Sequence, residues 1–343
     1  MLTVVVTGAA GSLGRRVVAR LSDCPRVDRV LAVDLVPLPV TGPAVEAHVL
    51  DLSLPGGQDE LVALAKEADA MVHLAWDPEG ADNLTVLQSV LDAAGTIEPR
   101  QLIHLSSATV YGAWRDNPVP LTEEAEPRPN AGLAYAMEKR AAELCVERWA
   151  AAHPEVAVAV LRPACTVGSL GQPLYKALAA SRQPPFGSEG RLVQYLHVDD
   201  LAAAVVHAWE EGLSGTYNVA PDNGLREEVA GALAGGAATL PLPRRLRATS
   251  ATWSWRLWRR GAPFGALPYA EHSWVIAGDK LRATGWQPQY SSEEALVVSD
   301  GRAHWDDLPQ GRRVALVLAA AALATVVVAG AGAGATLWWR RRR

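Results

Sequence analysis

The sequence predicts an α/β protein built on a doubly wound parallel sheet, followed by a C-terminal transmembrane helix. Three observations carry this. Apolar β-branched runs alternate with amphipathic segments over the first 110 residues, the pattern of a parallel sheet covered by helices on both faces. A strand, a glycine turn and a helix open the chain between Val4 and Gly14. Val314 to Trp339 is a run of 26 residues without a charge.

The opening stretch, Val4-Val5-Val6-Thr7-Gly8-Ala9-Ala10-Gly11-Ser12-Leu13-Gly14, places three glycines at every third position after a β-branched run. Glycine permits a sharp turn and close approach of a ligand. The helix predicted from Ser12 to about Leu21 then offers unpaired N–H groups and a positive dipole end. Gly8, Gly11, Ser12, Leu13 and Gly14 are therefore candidates for holding a dinucleotide pyrophosphate.

The next run, Arg29 to Asp34, ends in an acid 20 residues after Gly14. A carboxylate there accepts both hydroxyls of an adenosine ribose and repels a 2′-phosphate, favouring NAD over NADP. Ala47 to Leu52 predicts a strand carrying Asp51, and Gln58 to Ala68 a helix. Ala70 to Ala75 and Gln101 to Ser106 predict further strands, with a helix over Leu84 to Ala94 between them. Gly8, Asp34, Asp51, Ala75 and Ser106-Ser107 all fall at carboxyl ends of strands, where ligands bind in such sheets.

The chemistry-bearing residues lie in Ser106-Ser107-Ala108-Thr109-Val110-Tyr111-Gly112 and in Tyr135-Ala136-Met137-Glu138-Lys139. One long helix is predicted over 133–152, which sets Tyr135 and Lys139 one turn apart on one face. A lysine there is expected to lower the phenol pKa, normally ~10. The phenol would then exchange a proton with a substrate hydroxyl near neutral pH. A serine hydroxyl from the strand end is suited to hold the same oxygen.

These motifs together resemble the extended short-chain dehydrogenase/reductases of the NAD-dependent epimerase/dehydratase family. The glycine motif, Asp34, Asp51-Leu52, His73-Leu74-Ala75, Asn83, Ser107 to Gly112, Tyr135/Lys139, Leu161-Arg162-Pro163 and His197 to Leu201 run in family order over about residues 1–300. The resemblance implies a Rossmann domain over 1–165 binding NAD and a mainly substrate-capping part over 166–298, some of whose segments return to the sheet. It implies Tyr135 as general acid/base, Lys139 as its tuner and ribose ligand, and Ser107 as the group orienting the reacting oxygen. It adds Asp51 and Leu52 flanking the adenine, and Ala75 and Pro163 lining the cofactor site.

Departures from the family pattern bear on the substrate. Cys165 stands where UDP-sugar 4-epimerases of the family usually carry an Asn. Val193 takes the place of a pyrophosphate-binding Arg, with Arg191 two residues away. The loop from Ala75 to Asn83 is short. Three readings follow. The first is an NAD-dependent oxidoreductase or epimerase on a secondary alcohol or ketone, with a nucleotide sugar as the family default. The second is a 3β-hydroxysteroid-dehydrogenase-like enzyme on a membrane lipid alcohol. The third is a non-catalytic dinucleotide sensor, against which the intact Ser107, Tyr135 and Lys139 argue.

Composition bounds the rest. Cys24, Cys145 and Cys165 are far apart, with no metal or redox spacing, and predict reduced thiols in a cytosolic compartment. The N-terminal apolar run lacks a preceding basic region and predicts a buried strand rather than a signal peptide. The net charge is −5, and residues 312–343 hold six arginines and no acids, which leaves −11 on residues 1–311. An acidic body argues against nucleic acid as a partner.

The charge-free run 314–339 is long enough, at ~1.5 Å per residue, for a ~30 Å hydrocarbon core. Trp338, Trp339 and the flanking arginines suit a membrane interface. A linker is predicted over 299–313. The expectation is a membrane-anchored protein with its body in the cytoplasm, the run either spanning or embedding from one side. Trp253 to Arg260 interleaves three tryptophans with three arginines, an interfacial pattern or one side of a substrate lid. A homodimer is expected by family analogy alone.

Overall fold

The computed structural model describes residues 2–38, 42–77, 82–168, 191–221, 224–233, 265 and 267–299, all within one unit, Met1–Ser299. The expected anchor 314–339, the linker beyond Ser299 and the Trp253–Arg260 stretch lie outside the described residues. Among the described residues no helix is long and apolar enough to cross a membrane.

The first half runs β1 (Leu2–Thr7), α1 (Ser12–Ser22), β2 (Val27–Asp34), β3 (Val45–Val49), α2 (Gly57–Leu64), β4 (Ala70–His73), α3 (Asn83–Ile97) and β5 (Gln101–Leu105). A 3-10 turn at Ala108–Tyr111, α4 (Ala134–Ala152) and β6 (Ala157–Pro163) follow. After β7 (Cys165–Val167), β8 (Leu192–Val193) and β9 (Tyr195–His197) come α5 (Val198–Glu210) and β10 (Gly215–Val219). The described chain closes with β11 (Leu225–Arg226), α6 (Glu227–Leu233), α7 (Leu267–Glu271), α8 (Asp279–Arg282) and α9 (Ser292–Ser299).

Seven strands form one sheet in the order β10-β6-β5-β4-β1-β2-β3, and every pairing is parallel. The alternation of apolar residues along each strand assigns the two faces. Val4 and Val6 of β1, Val30, Val72, Ile103 and Leu161 bury against α1 and α5. Val5, Leu31, Val33, Met71, Leu102 and Val160 bury against residues of α2, α3 and α4. Both faces are covered, which is why the strands read as near-continuous apolar runs.

The chain winds from β1 outward through β2 and β3, then returns to place β4 on the other side of β1. This reversal leaves a crevice at the carboxyl ends of β1 and β4. Thr7 is in register with His73 there, so Gly8 and Leu74-Ala75 leave the sheet side by side. Outside the main sheet, β7 pairs with β9 in parallel and β8 with β11 antiparallel.

Candidate active site

The crevice is built first from backbone. Gly8 has φ 75°, and a Cβ there would sit 2.5 Å from the Ala75 nitrogen. At Gly14 a Cβ would lie 2.1 Å from the Gly8 carbonyl. Any side chain at either position would push β1, the loop and α1 apart. Gly11 caps α1 from an extended conformation, with no side-chain cap and no acid in the first turn. The first N–H groups of α1, beginning at Ser12 and Leu13, thus keep their hydrogen bonds for an anion. The cradle fits a pyrophosphate.

Asp34 closes the loop from the side. Its Oδ2 accepts from the Ala10 N–H at 2.8 Å and its Oδ1 from the Val36 N–H at 3.2 Å. The carboxylate is therefore fixed at the end of β2, beside the glycine turn. Asp51 lies two residues beyond β3, because the strand ends at Val49 rather than at the expected Leu52. Its Oδ1 accepts from the Ser53 N–H at 2.9 Å and the Ser53 hydroxyl at 2.6 Å, which holds the carboxyl below its ordinary range. Leu52 is buried, and its carbonyl accepts from Ser89 at 2.8 Å. Ala75 follows β4 and Pro163 ends β6, so both stand at the same sheet edge.

The second half of the site lies at the end of β5. Ser107 caps the 3-10 turn, its hydroxyl oxygen accepting from the Thr109 N–H at 3.2 Å and from the Thr109 hydroxyl at 2.9 Å. It is also hydrogen-bonded to Tyr135. Tyr135 and Lys139 stand one turn apart in the first two turns of α4. The Lys139 Nζ donates to the Leu105 carbonyl at 2.9 Å. It sits 3.5 Å from the centroid of the Trp76 ring and 6.0 Å from that of Tyr135.

The structure corrects the expected electrostatics of this pair. The Tyr135 hydroxyl, although the ring keeps some exposed surface, is pushed up to about 12 by burial, which outweighs the Ser107 hydrogen bond. Lys139 does not lower it. Burial brings Lys139 itself down to about 7, against the pull of the Glu143 and Glu138 carboxylates. The physical reason is that both groups are withdrawn from water together, and desolvation penalises each charged form.

Beneath them, His73 and His104 stack at 5.6 Å between ring centroids, and the His73 Nδ1 bonds Thr7 Oγ1 at 2.8 Å. Burial drives His73 down to about 3 and His104 well below its usual value. Both imidazoles are neutral fillers at physiological pH.

Several site-forming residues carried no assigned role in the sequence. Glu143, four positions after Lys139, is 1% exposed and bonds the Arg162 Nε and Nη2 at 2.8 Å each and the Ser106 hydroxyl at 2.6 Å. Arg162 also donates to the Tyr111 hydroxyl at 2.9 Å, which donates to Asn218 at 2.8 Å. This buried network ties α4 to the ends of β5, β6 and β10, fixing where Ser107 and Lys139 stand. The i,i+4 spacing of Lys139 and Glu143 was its one visible signal. Asn83, at the start of α3, exchanges hydrogen bonds with the Asp77 backbone at 2.8 and 2.7 Å and reaches Glu138 at 3.3 Å.

Of the positions that depart from the family pattern, Cys165 is buried in β7 and close enough to Tyr135 to raise its pKa. Val193 is buried in β8. Arg191 does not stand in for an arginine at 193. It is 5% exposed, donates to Glu227 through Nε at 2.9 Å and again through Nη2, and to the Tyr269 carbonyl at 2.8 Å.

A family model for the NAD dependent epimerase/dehydratase family matches residues 4–220. The chain belongs to that family.

Its cofactor is NAD, and the chain is an enzyme of the general NAD-dependent epimerase/dehydratase type. Curated relatives include an uncharacterized protein of Mycobacterium tuberculosis, 28% identical over 324 residues, covering 85% of this chain and 82% of the relative. A Sinorhizobium fredii protein is 27% identical over 248 residues, covering 69% and 59%. Among solved structures, a UDP-glucose 4-epimerase of Thermus thermophilus in complex with NAD aligns at TM-score 0.64 and 20% identity, covering 87% of this chain and 98% of that one. A dTDP-glucose 4,6-dehydratase of Streptomyces venezuelae with NAD bound aligns at 0.63 and 19%, covering 90% and 100%. At these identities the structural likeness is one of fold.

Proposed function

We propose that the protein is an NAD-dependent oxidoreductase or epimerase acting on a secondary alcohol or ketone, with Tyr135 as acid/base. The observation that carries this is the convergence of Ser107, Tyr135 and Lys139 at the sheet edge beside the open N-terminus of α1. NAD, when bound, accepts or returns hydride at the nicotinamide ring. The chain's own part is to position and to move one proton. Ser107 orients the substrate oxygen: its lone pairs accept from Thr109, which directs its proton toward the Tyr135 hydroxyl, where the reacting oxygen would bind. Tyr135, protonated at neutral pH in the free protein, donates its proton to a carbonyl oxygen in the reducing direction and is reprotonated from solvent; in the oxidising direction the phenolic proton first passes to solvent and the phenolate then takes the proton of the substrate hydroxyl. Lys139, drawn toward its neutral form by burial, is poised to exchange a proton near pH 7 and to meet the nicotinamide ribose.

The test is Tyr135→Phe. Turnover should fall by roughly 10²–10⁴-fold while NAD+ binding, followed by titration calorimetry, persists. Retained turnover would remove Tyr135 from the chemistry.

Nucleotide sugars are the substrates named for the structural neighbours and remain the first class to assay. A lipid alcohol is the second reading, and a specific observation favours it. Val193 is buried and apolar where a pyrophosphate arginine is expected, and Arg191 is spent on Glu227. The body then has no described cation at that position for a sugar-nucleotide phosphate. The charge-free run 314–339 supports a membrane-anchored location, and the three widely spaced cysteines support a body in the cytoplasm. Copurification from the native membrane and mass identification of bound molecules separates the two classes.

A further inference from the structure

We propose that Trp76 is a positioning residue for this site: its indole face holds the Lys139 ammonium in place and in its charged form while shielding it from water. The inference rests on the reading of Lys139 as part of the machinery. No motif of the sequence pointed to Trp76.

Three observations carry it. Trp76 follows Ala75 directly at the β1/β4 crevice, where the chain leaves the sheet. Its ring lies 3.5 Å from the Lys139 Nζ, and its edge meets the Tyr135 ring at 6.3 Å and 88°. It thus touches both side chains of the pair. Finally, its indole N–H is buried without a hydrogen-bond partner among the described residues. A leucine would fill this space without stranding a donor but would offer the ammonium no ring face.

The alternatives for holding Lys139 are few. It is 3% exposed, and among the described residues it donates to the Leu105 carbonyl. From its own helix it faces Glu138, Glu143 and Tyr135. His73 of β4 and His104 of β5 lie below it, both neutral. Arg162 of β6 neutralises Glu143 through a two-pronged contact, so that carboxylate offers Lys139 less than a free one would. A ring face over the ammonium supplies attraction that needs no water and no counter-charge. Desolvation draws Lys139 toward its neutral form, and the ring pulls against it.

The experiment reads Lys139 itself and needs no substrate. The chain has four lysines, Lys66, Lys139, Lys176 and Lys280. The full-length protein is labelled with 13C-lysine, the Lys139 resonance is assigned from Lys139→Met, and its titration is followed in wild type, Trp76→Phe and Trp76→Leu. Leucine keeps an apolar cover and removes the ring. The Lys139 midpoint should fall by about one pH unit in Trp76→Leu, a ten-fold gain in neutral lysine at a given pH, with Trp76→Phe between. A merely structural role would lower the thermal midpoint and leave the titration where it was. An unchanged or raised midpoint in either folded variant overturns the proposal, whatever Tyr135→Phe does to turnover. Should Trp76→Leu fail to fold, Trp76→Phe alone decides by the same criterion.

Discussion

Breaking the Glu143–Arg162 pair should cost more than removing it whole. Both residues are nearly inaccessible, at 1% and 3% exposure. Glu143→Leu leaves the Arg162 Nε and Nη2 without their carboxylate and the Ser106 hydroxyl without its acceptor. Among the described residues the Tyr111 hydroxyl then remains as the acceptor for that buried cation. An uncompensated buried charge of this kind destabilises by about 3–5 kcal/mol. Arg162→Met strands Glu143 less completely, since Ser106 and Arg140 still donate to it, so a value near the lower end, about 3 kcal/mol, is expected. The double variant removes both charges: the Ser106 hydroxyl loses its acceptor, the Tyr111 hydroxyl loses one of its two partners and keeps Asn218, and Arg140 keeps Glu147. At about 1 kcal/mol for each, it should lie within about 2 kcal/mol of wild type. The coupling is therefore about 4–6 kcal/mol, measurable by urea unfolding of the four proteins followed by circular dichroism. If the double variant costs as much as the two singles together, the pair is not the unit described here. In the surviving single variants NAD+ affinity should also weaken, because Ser106 precedes Ser107 and Lys139 lies one turn before Glu143.

Two further outcomes follow from the same geometry. Gly8→Ala places a methyl 2.5 Å from the Ala75 backbone nitrogen at a φ of 75°; NAD+ binding by calorimetry should weaken at least ~10-fold, since an alanine there is strained and forces β1 from β4. A normal affinity would mean that the crevice is not the dinucleotide site. Lys139 titrates at about 7 in the fold against 10.5 for an ordinary lysine, so protonation disfavours folding. The penalty is fully present below pH 7 and fades as pH rises toward 10.5. Between pH 6 and pH 9 wild type should gain about 2–3 kcal/mol relative to Lys139→Met, and a difference that stays flat with pH refutes the burial argument.

The sequence made the cofactor half legible because that half is local. Three glycines in seven residues, and an acid ending the next strand, require only a strand, a turn and a helix in order. The structure set Gly8, Gly11, Gly14 and Asp34 beside one another as that order implies. Asp51 was harder to place. Its strand stops at Val49, and the Ser53 hydroxyl and N–H turn the carboxylate after the strand has ended. The Tyr135/Lys139 pair was legible as a helix spacing, but its electrostatics were not. Periodicity gives the distance between two side chains and says nothing of the water removed around them.

What the sequence determined by itself was the alternation that builds the parallel sheet, the glycine turn at the end of its first strand, and the helix spacing that sets Tyr135 and Lys139 one turn apart. Each depends on residue type and short spacing. What only the tertiary structure decided was the charge state of that pair and what surrounds it: Trp76 over Lys139, Glu143 on Arg162, and Arg191 turned to Glu227 instead of standing in for Val193. These contacts join residues from different strands and helices. Their energies come from burial, and burial is a property of the packed chain rather than of any stretch of it.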